Sequence, residues 1–120
     1  MVEIKETSRE FTPVEKYLMT VAPNIQTLNK VEDGTKITVD GYLVFTDVKE
    51  DSEIAEILSI ITPDKKVYSC QSKTFKQSMH DIVTVLSIDG ECKQFPIIKI
   101  SGKTKNGRDY INCVLDIENL

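Results

Sequence analysis

The sequence predicts a mainly β protein: a small five-stranded barrel, one helix between its third and fourth strands, and a short extra helix near the N-terminus. Three observations predict it. Short runs at 36–46, 54–62, 67–71, 95–103 and 109–117 are rich in Ile, Leu and Val or alternate apolar with polar residues, as strands do. One segment, 72–87, changes to three- and four-residue spacing, the period of a helix. Turn residues punctuate the series, with Pro63-Asp64, Asp89-Gly90 and Asn106-Gly107 between the runs.

Bulk properties fit one globular domain. The chain has 120 residues, 40% hydrophobic and 28% charged, which is too apolar for disorder. Its first ten residues are polar and charged, so no signal peptide is expected, and its apolar runs are too short to cross a bilayer. A cytoplasmic protein with no membrane partner is expected. Cys70, Cys92 and Cys113 are odd in number and form no CxxC, which points to a reducing compartment and away from a disulfide framework. Cys113 lies in an apolar run where a thiol serves as a small buried hydrophobe. Cys70, His80, Cys92 and Cys113 lack the close paired spacing of a structural zinc site, so neither metal nor cofactor is expected.

Each element has a local reason. Residues 1–11 read as a loosely held arm. Thr12, Pro13 and Glu15 make a capping box with proline at the first helical position, starting a helix at about 13–20 that Pro23 ends. Its stripe Val14, Tyr17, Leu18 and Val21 is expected to lie on the body of the fold. The long run from Lys36 to Thr46 is interrupted by Gly41, either a bend between barrel halves or an incidental glycine, and this leaves the direction of Tyr42 and Phe45 open. Residues 47–53 form an acidic loop. Ile54–Thr62 and Val67–Gln71 are joined by the Pro63–Lys66 turn. In the helix, Phe75, Met79, Ile82, Val83 and Leu86 form the apolar stripe, capped by Ser72 or Thr74. Asn106-Gly107 closes a terminal hairpin. A three-stranded meander, a helix and a hairpin is the order of an OB (oligonucleotide/oligosaccharide-binding) barrel, the fold class expected here.

In such a barrel a ligand crosses strands two and three, between the loops joining strands one to two and four to five. Single-stranded nucleic acid requires aromatic faces for bases and cations for phosphates there. In the terminal hairpin, Ile98 and Ile100 are expected inside, with Lys99, Ser101 and Lys103 outside. Ile111, Cys113, Leu115 and Ile117 are likewise expected inside, with Tyr110, Asn112 and Val114 outside. Lys105 and Arg108 sit at the tip. Lys99, Lys103, Lys105, Arg108 and Tyr110 then form one cluster, against the plainer reading of edge lysines that deter aggregation. A second cluster is Lys65, Lys66, Tyr68, Lys73 and Lys76. Tyr68 could equally point inward with Cys70, and Tyr42 is a third stacking candidate. Phe11, Phe75 and Phe95 read as packing residues.

Charge is equivocal. The net −4 opposes a nucleic-acid partner, but residues 1–56 hold 12 acidic and 6 basic side chains against 7 and 9 in residues 57–120. Enzymatic motifs are lacking, and no catalytic residue is expected. His80 is the lone histidine and reads as a surface residue. Gly102-Lys103-Thr104 echoes the end of a P-loop, but Ile97 stands where that motif needs glycine, and a hairpin follows rather than a helix.

The stretches Val67 to Phe75 and Ile98 to Ile111 resemble small single-stranded DNA-binding proteins of phages that infect Gram-positive bacteria. The likeness spans roughly residues 36–117. It implies an OB fold and a role in phage DNA replication in the host cytoplasm, coating single strands with little sequence preference. Carried over by residue, it implies binding through Tyr68, Lys99, Lys103, Lys105, Arg108 and Tyr110. The chain departs from many such proteins in having no tryptophan, and no acidic C-terminal tail for recruiting partners is expected. Replication proteins and self-association are further partners to consider. The alternative function is a protein-interaction module on the same scaffold, such as a phage accessory or inhibitor protein using its acidic surface.

Overall fold

The computed structural model describes residues 2–48, 53–90 and 92–120. In chain order its elements are β1 (Val2–Thr7), α1 (Pro13–Thr20), β2 (Gln26–Thr27), β3 (Lys36–Val39), β4 (Gly41–Val48) and β5 (Ile54–Ile61). There follow β6 (Val67–Cys70), α2 (Lys73–Leu86), β7 (Phe95–Lys103) and β8 (Asp109–Leu115). The described residues form a five-stranded sheet, ordered β1-β4-β5-β6-β2, and a three-stranded sheet, ordered β3-β7-β8. The acidic loop expected over 47–53 lies largely outside the described residues, while Asp47 and Val48 extend β4.

The run from Lys36 divides at Asp40, so that β3 pairs with β7 while β4 pairs with β1 and β5. Gly41 marks this division for a steric reason. A Cβ there would sit 2.7 Å from the Phe11 ring, so the close approach of the N-terminal segment requires glycine. One stretch of chain therefore serves two sheets.

Among the described residues a closed barrel is not found. Closure would bring β8 onto the open edge of β6, and that edge is taken instead by the parallel pairing of Gln26 and Thr27 with Tyr68 and Ser69. Leu28, next in the chain, is wholly buried in the main core. Phe75 and Met79 of α2 enter the same core, beside Cys70 of β6 and Ile111 and Cys113 of β8.

The five-stranded sheet is buried on both faces. Tyr42, Val44, Leu58 and Ile60 point into the main core, while Leu43, Phe45 and Ile61 point into a second cluster with Phe11, Met19 and Val67. Helix α1 builds this second layer, and the Ser59 hydroxyl donates to the carbonyl of Met19.

The N-terminal residues are not a loose arm. Val2–Thr7 pairs antiparallel with β4, and Ser8 and Phe11 are buried. Of the expected helix stripe only Leu18 packs against the body, half-buried on the second cluster; Val14, Tyr17 and Val21 are exposed, and the buried residues of α1 are Glu15 and Met19. The reason is electrostatic. The Glu15 carboxylate accepts from the Thr12 amide at 3.0 Å and the Arg9 guanidinium at 2.8 Å, with Lys65 at 3.5 Å. Arg9 also donates to the Asp40 carbonyl at 2.8 Å and stacks over Phe11. Glu15 is thereby drawn to the body, and Met19, one turn on, follows it inward. Arg9, the Thr12 amide and Lys65 together hold the Glu15 carboxyl down at about 2.

Helix α2 spans Lys73–Leu86 with Ser72 as its cap, accepting from the Phe75 amide. Among the described residues no helix is long and apolar enough to cross a membrane, and no three His, Cys, Asp or Glu side chains gather as metal ligands. The three cysteines are free and buried, and burial raises the thiols of Cys70 and Cys113 to about 11 and about 12.

Candidate nucleic-acid interface

The terminal hairpin β7–β8 carries the largest group of expected binding residues. Its turn is closed by hydrogen bonds between Thr104 and Arg108, and Gly107 adopts φ +77, the left-handed conformation that Asn-Gly turns supply. Lys103, Lys105 and Arg108 are all exposed at this end. Lys103 faces Asp109 across the strands at 3.9 Å, a solvent-exposed pair that holds neither side chain firmly. Gly102 opposes Tyr110, and a Cβ on Gly102 would lie 2.6–2.7 Å from the phenol oxygen and its ring carbon. The ring therefore rests on the bare glycine backbone, and Tyr110 stays partly exposed.

The direction of β7 differs from expectation. Phe95, Ile97 and Lys99 form its buried row, while Ile98 and Ile100 lie half-exposed on the other side. Both alternating sets contain two apolar residues, so alternation alone does not choose between them. Lys99 is only 3% exposed, and its ammonium donates to the Val31 carbonyl and to Asp33 Oδ1, each at 2.8 Å. Ser101 donates to the other oxygen of Asp33. The Lys99 ammonium and the Ser101 hydroxyl hold the Asp33 carboxyl below its ordinary range. Lys99 pins the 31–34 turn to β7 and is not a phosphate contact. In β8 the expected inner row holds for Ile111 and Cys113, but Ile117 is exposed beyond the strand.

Tyr42 is not a stacking surface either. It is 1% exposed, and its hydroxyl donates to Glu6 Oε1 at 2.6 Å. Burial first, then this bond, raises the phenol far above its ordinary value. His80 of α2 reaches the same carboxylate oxygen at 2.7 Å and is raised by it. His80 is exposed, as expected, and ties α2 to β1.

The remaining candidates lie on separate surfaces. Tyr68 points inward with Cys70 but stays half-exposed, in a groove with Lys36, Thr38, Pro63 and Lys66. Lys65 is engaged with Glu15, and Lys66 stands 3.8 Å from Asp64. Lys73 lines a cleft between α2 and the five-stranded sheet with Lys76, His80, Glu6 and Glu56, where Lys76 bridges to Glu56 at 3.3 Å. Lysines 65, 66 and 73 thus do not join the hairpin cluster. The face of β5 and β6 expected to carry ligand is packed against α1 along Ser59, Ile61 and Val67.

Lys36 is a cation that the sequence reading passed over. It lies on the exposed side of β3, opposite Ile98, with its ammonium 3.8 Å from the buried Asp116 carboxylate. The alternation Lys36, Ile37, Thr38, Val39 carries the signal for its outward direction.

Comparison with family models, curated proteins and solved structures finds no match to this chain.

Proposed function

We propose that the protein binds single-stranded DNA with little sequence preference, in phage DNA replication, using an opened OB-type barrel. The connectivity supports the fold reading. The β3–β4 stretch pairs with both β5 and β7, as the first strand of an OB barrel pairs with its second and fourth. Strands β5 and β6 form a hairpin, α2 follows, and β7–β8 close the order. The opening lies between β6 and β8, where β2 occupies the edge.

One observation carries the functional reading. Lys103, Lys105 and Arg108 stand exposed at the hairpin end that also carries Tyr110, whose ring is seated on Gly102. Cations at an exposed tip take phosphates, and a phenol with one face supported by backbone offers the other to a base, worth roughly 1–3 kcal/mol. Fluorescence anisotropy with labelled oligo(dT) tests it. With three tip cations engaged, the slope of log affinity against log salt is expected near −2, and Tyr110→Ala is expected to weaken binding about tenfold. Binding that ignores salt, or no binding at all, overturns the reading.

A second reading, a protein-interaction module, draws support from α1, whose Val14, Tyr17 and Val21 make an exposed apolar stripe. Its acidic-surface form is weaker, because Glu15 and Asp40 are occupied with Arg9. Capture of a basic protein without any shift of oligo(dT) would favour this alternative.

A further inference from the structure

The outer side of the β3-β7-β8 sheet is an open face with a distinctive composition. By strand alternation and register it presents Lys36 and Thr38 from β3, Pro96, Ile98, Ile100 and Gly102 from β7, and Tyr110, Asn112 and Val114 from β8. Ile98 and Ile100 are half-exposed, and Val114 is 43% exposed. Each packs into neither core cluster, so the face is apolar without serving the interior. The corresponding outer side of the other sheet is roofed by α1.

Its charge is one-sided. No carboxylate stands among these nine positions, although the protein is acidic overall. Asp116 lies at the Pro96 end and is buried, Asp109 belongs to the opposite row of β8, and Asp64, which lines the groove beside Lys36 and Thr38, faces Lys66 at 3.8 Å. Lys36 marks one edge of the face, and the hairpin tip with Lys105 and Arg108 marks its far end, while Lys103, like its cross-strand partner Asp109, belongs to the opposite row. The distance along β7 from Ile98 to Lys103 is roughly 17 Å at strand rise, room for a short run of nucleotides. The face is also poor in groups that read base edges. Asn112 is the sole amide, and its Oδ1 already accepts from the Ser78 hydroxyl and the Cys113 amide.

We propose that the bases of a bound single strand lie on this outer face, stacked on Tyr110 and against Ile98, Ile100 and Val114, with Lys36 taking a phosphate beyond the hairpin cations. This rests on the single-strand reading above and moves the path away from the β5–β6 face, which α1 covers. Apolar side chains and one phenol contact any base alike, so the path accounts for sequence tolerance. The cations at both ends match a polyanion rather than an apolar protein partner or a second, equally basic copy of the same face.

The test is anisotropy of the full chain with labelled oligo(dT) at two salt concentrations. Val114→Asp sets a carboxylate in the middle of the face at an exposed position, and is expected to lower affinity at least tenfold. Lys36→Ala is expected to lower it several-fold and to make the salt slope shallower by about 0.7. Val21→Asp, a comparable exposed substitution on α1, is expected to leave affinity unchanged, and thermal melting checks that all three variants fold. If the wild type binds but Val114→Asp and Lys36→Ala bind equally well, the path is overturned while the single-strand reading stands. If the wild type binds no oligonucleotide, both fail. If Val114→Asp instead changes sedimentation and not oligonucleotide affinity, a second copy covers the face and the path is overturned.

Discussion

The two sheets treat their outer faces in opposite ways. The five-stranded sheet carries α1 on its outer side, so β4 is buried from Gly41 to Phe45 without alternation. The three-stranded sheet buries one row and leaves the other in view, and there alternation persists through β3, β7 and β8. Both outer faces contain isoleucine, so hydrophobicity alone does not decide which is covered. What differs is the chain available to cover them. Arg9, Glu15 and Asp40 anchor the N-terminal segment over the larger sheet, while beside the smaller one the chain turns away into an exposed hairpin tip.

The largest expected effect breaks this comparison directly. Met19 has no exposed surface and packs in the second cluster with Leu43, Phe45 and Ile61. Met19→Ala is expected to cost about 2–5 kcal/mol in chemical denaturation, from lost burial and a residual cavity. Val114→Ala on the other outer face is expected to stay within about 0.5 kcal/mol. Equal losses at the two positions would mean that both faces are structural.

A smaller effect probes the anchor. Glu15 is held at about 2 against an ordinary 4.5, so its contribution to stability is present in full above pH 4.5 and is lost as pH falls toward 2. Glu15→Ala is expected to cost about 1–3 kcal/mol at neutral pH, through the helix cap and the bond to Arg9. Glu15→Gln keeps a capping side chain without its charge. It is expected to flatten the stability profile between pH 4.5 and 2, measured by urea unfolding across that range. An unchanged profile would place the acid sensitivity elsewhere.

What could be read in advance was local. The capping box of α1, the Ser72 cap, the Pro63 and Asn106-Gly107 turns and the order of the main elements all depend on residues near each other in sequence, and each stands in the structure. The directions of side chains depended on partners far away. Tyr42 lies in a strand buried on both sides, where period two carries no information. Phe95, Ile97, Ile98 and Ile100 offer β7 two apolar rows, and the choice between them is made by the main core and by Asp33, which gives Lys99 an inward partner. The failure to close traces to the two residues of β2, too few to carry a strand signature. The candidate site was therefore legible at the turn and at Tyr110, less so along the strands.

Lys103 and Lys99 bring the comparison down to a single strand. They lie four residues apart in the same row of β7, yet one is 74% exposed at its side chain and the other 4%. The buried ammonium makes two close bonds and organises a turn, whereas the exposed one meets Asp109 at 3.9 Å. Exposed pairs of that kind contribute about 0–1 kcal/mol, so Lys103→Ala is expected to leave the melting temperature almost unchanged. Under the single-strand proposal its effect belongs to binding. Removing one phosphate contact should weaken oligo(dT) binding at low salt and make the salt slope shallower by about 0.7, while thermal melts of the variant and the parent overlay. A variant that melts early but binds normally would reverse the assignment, making the hairpin end a structural element and leaving its cations without a ligand.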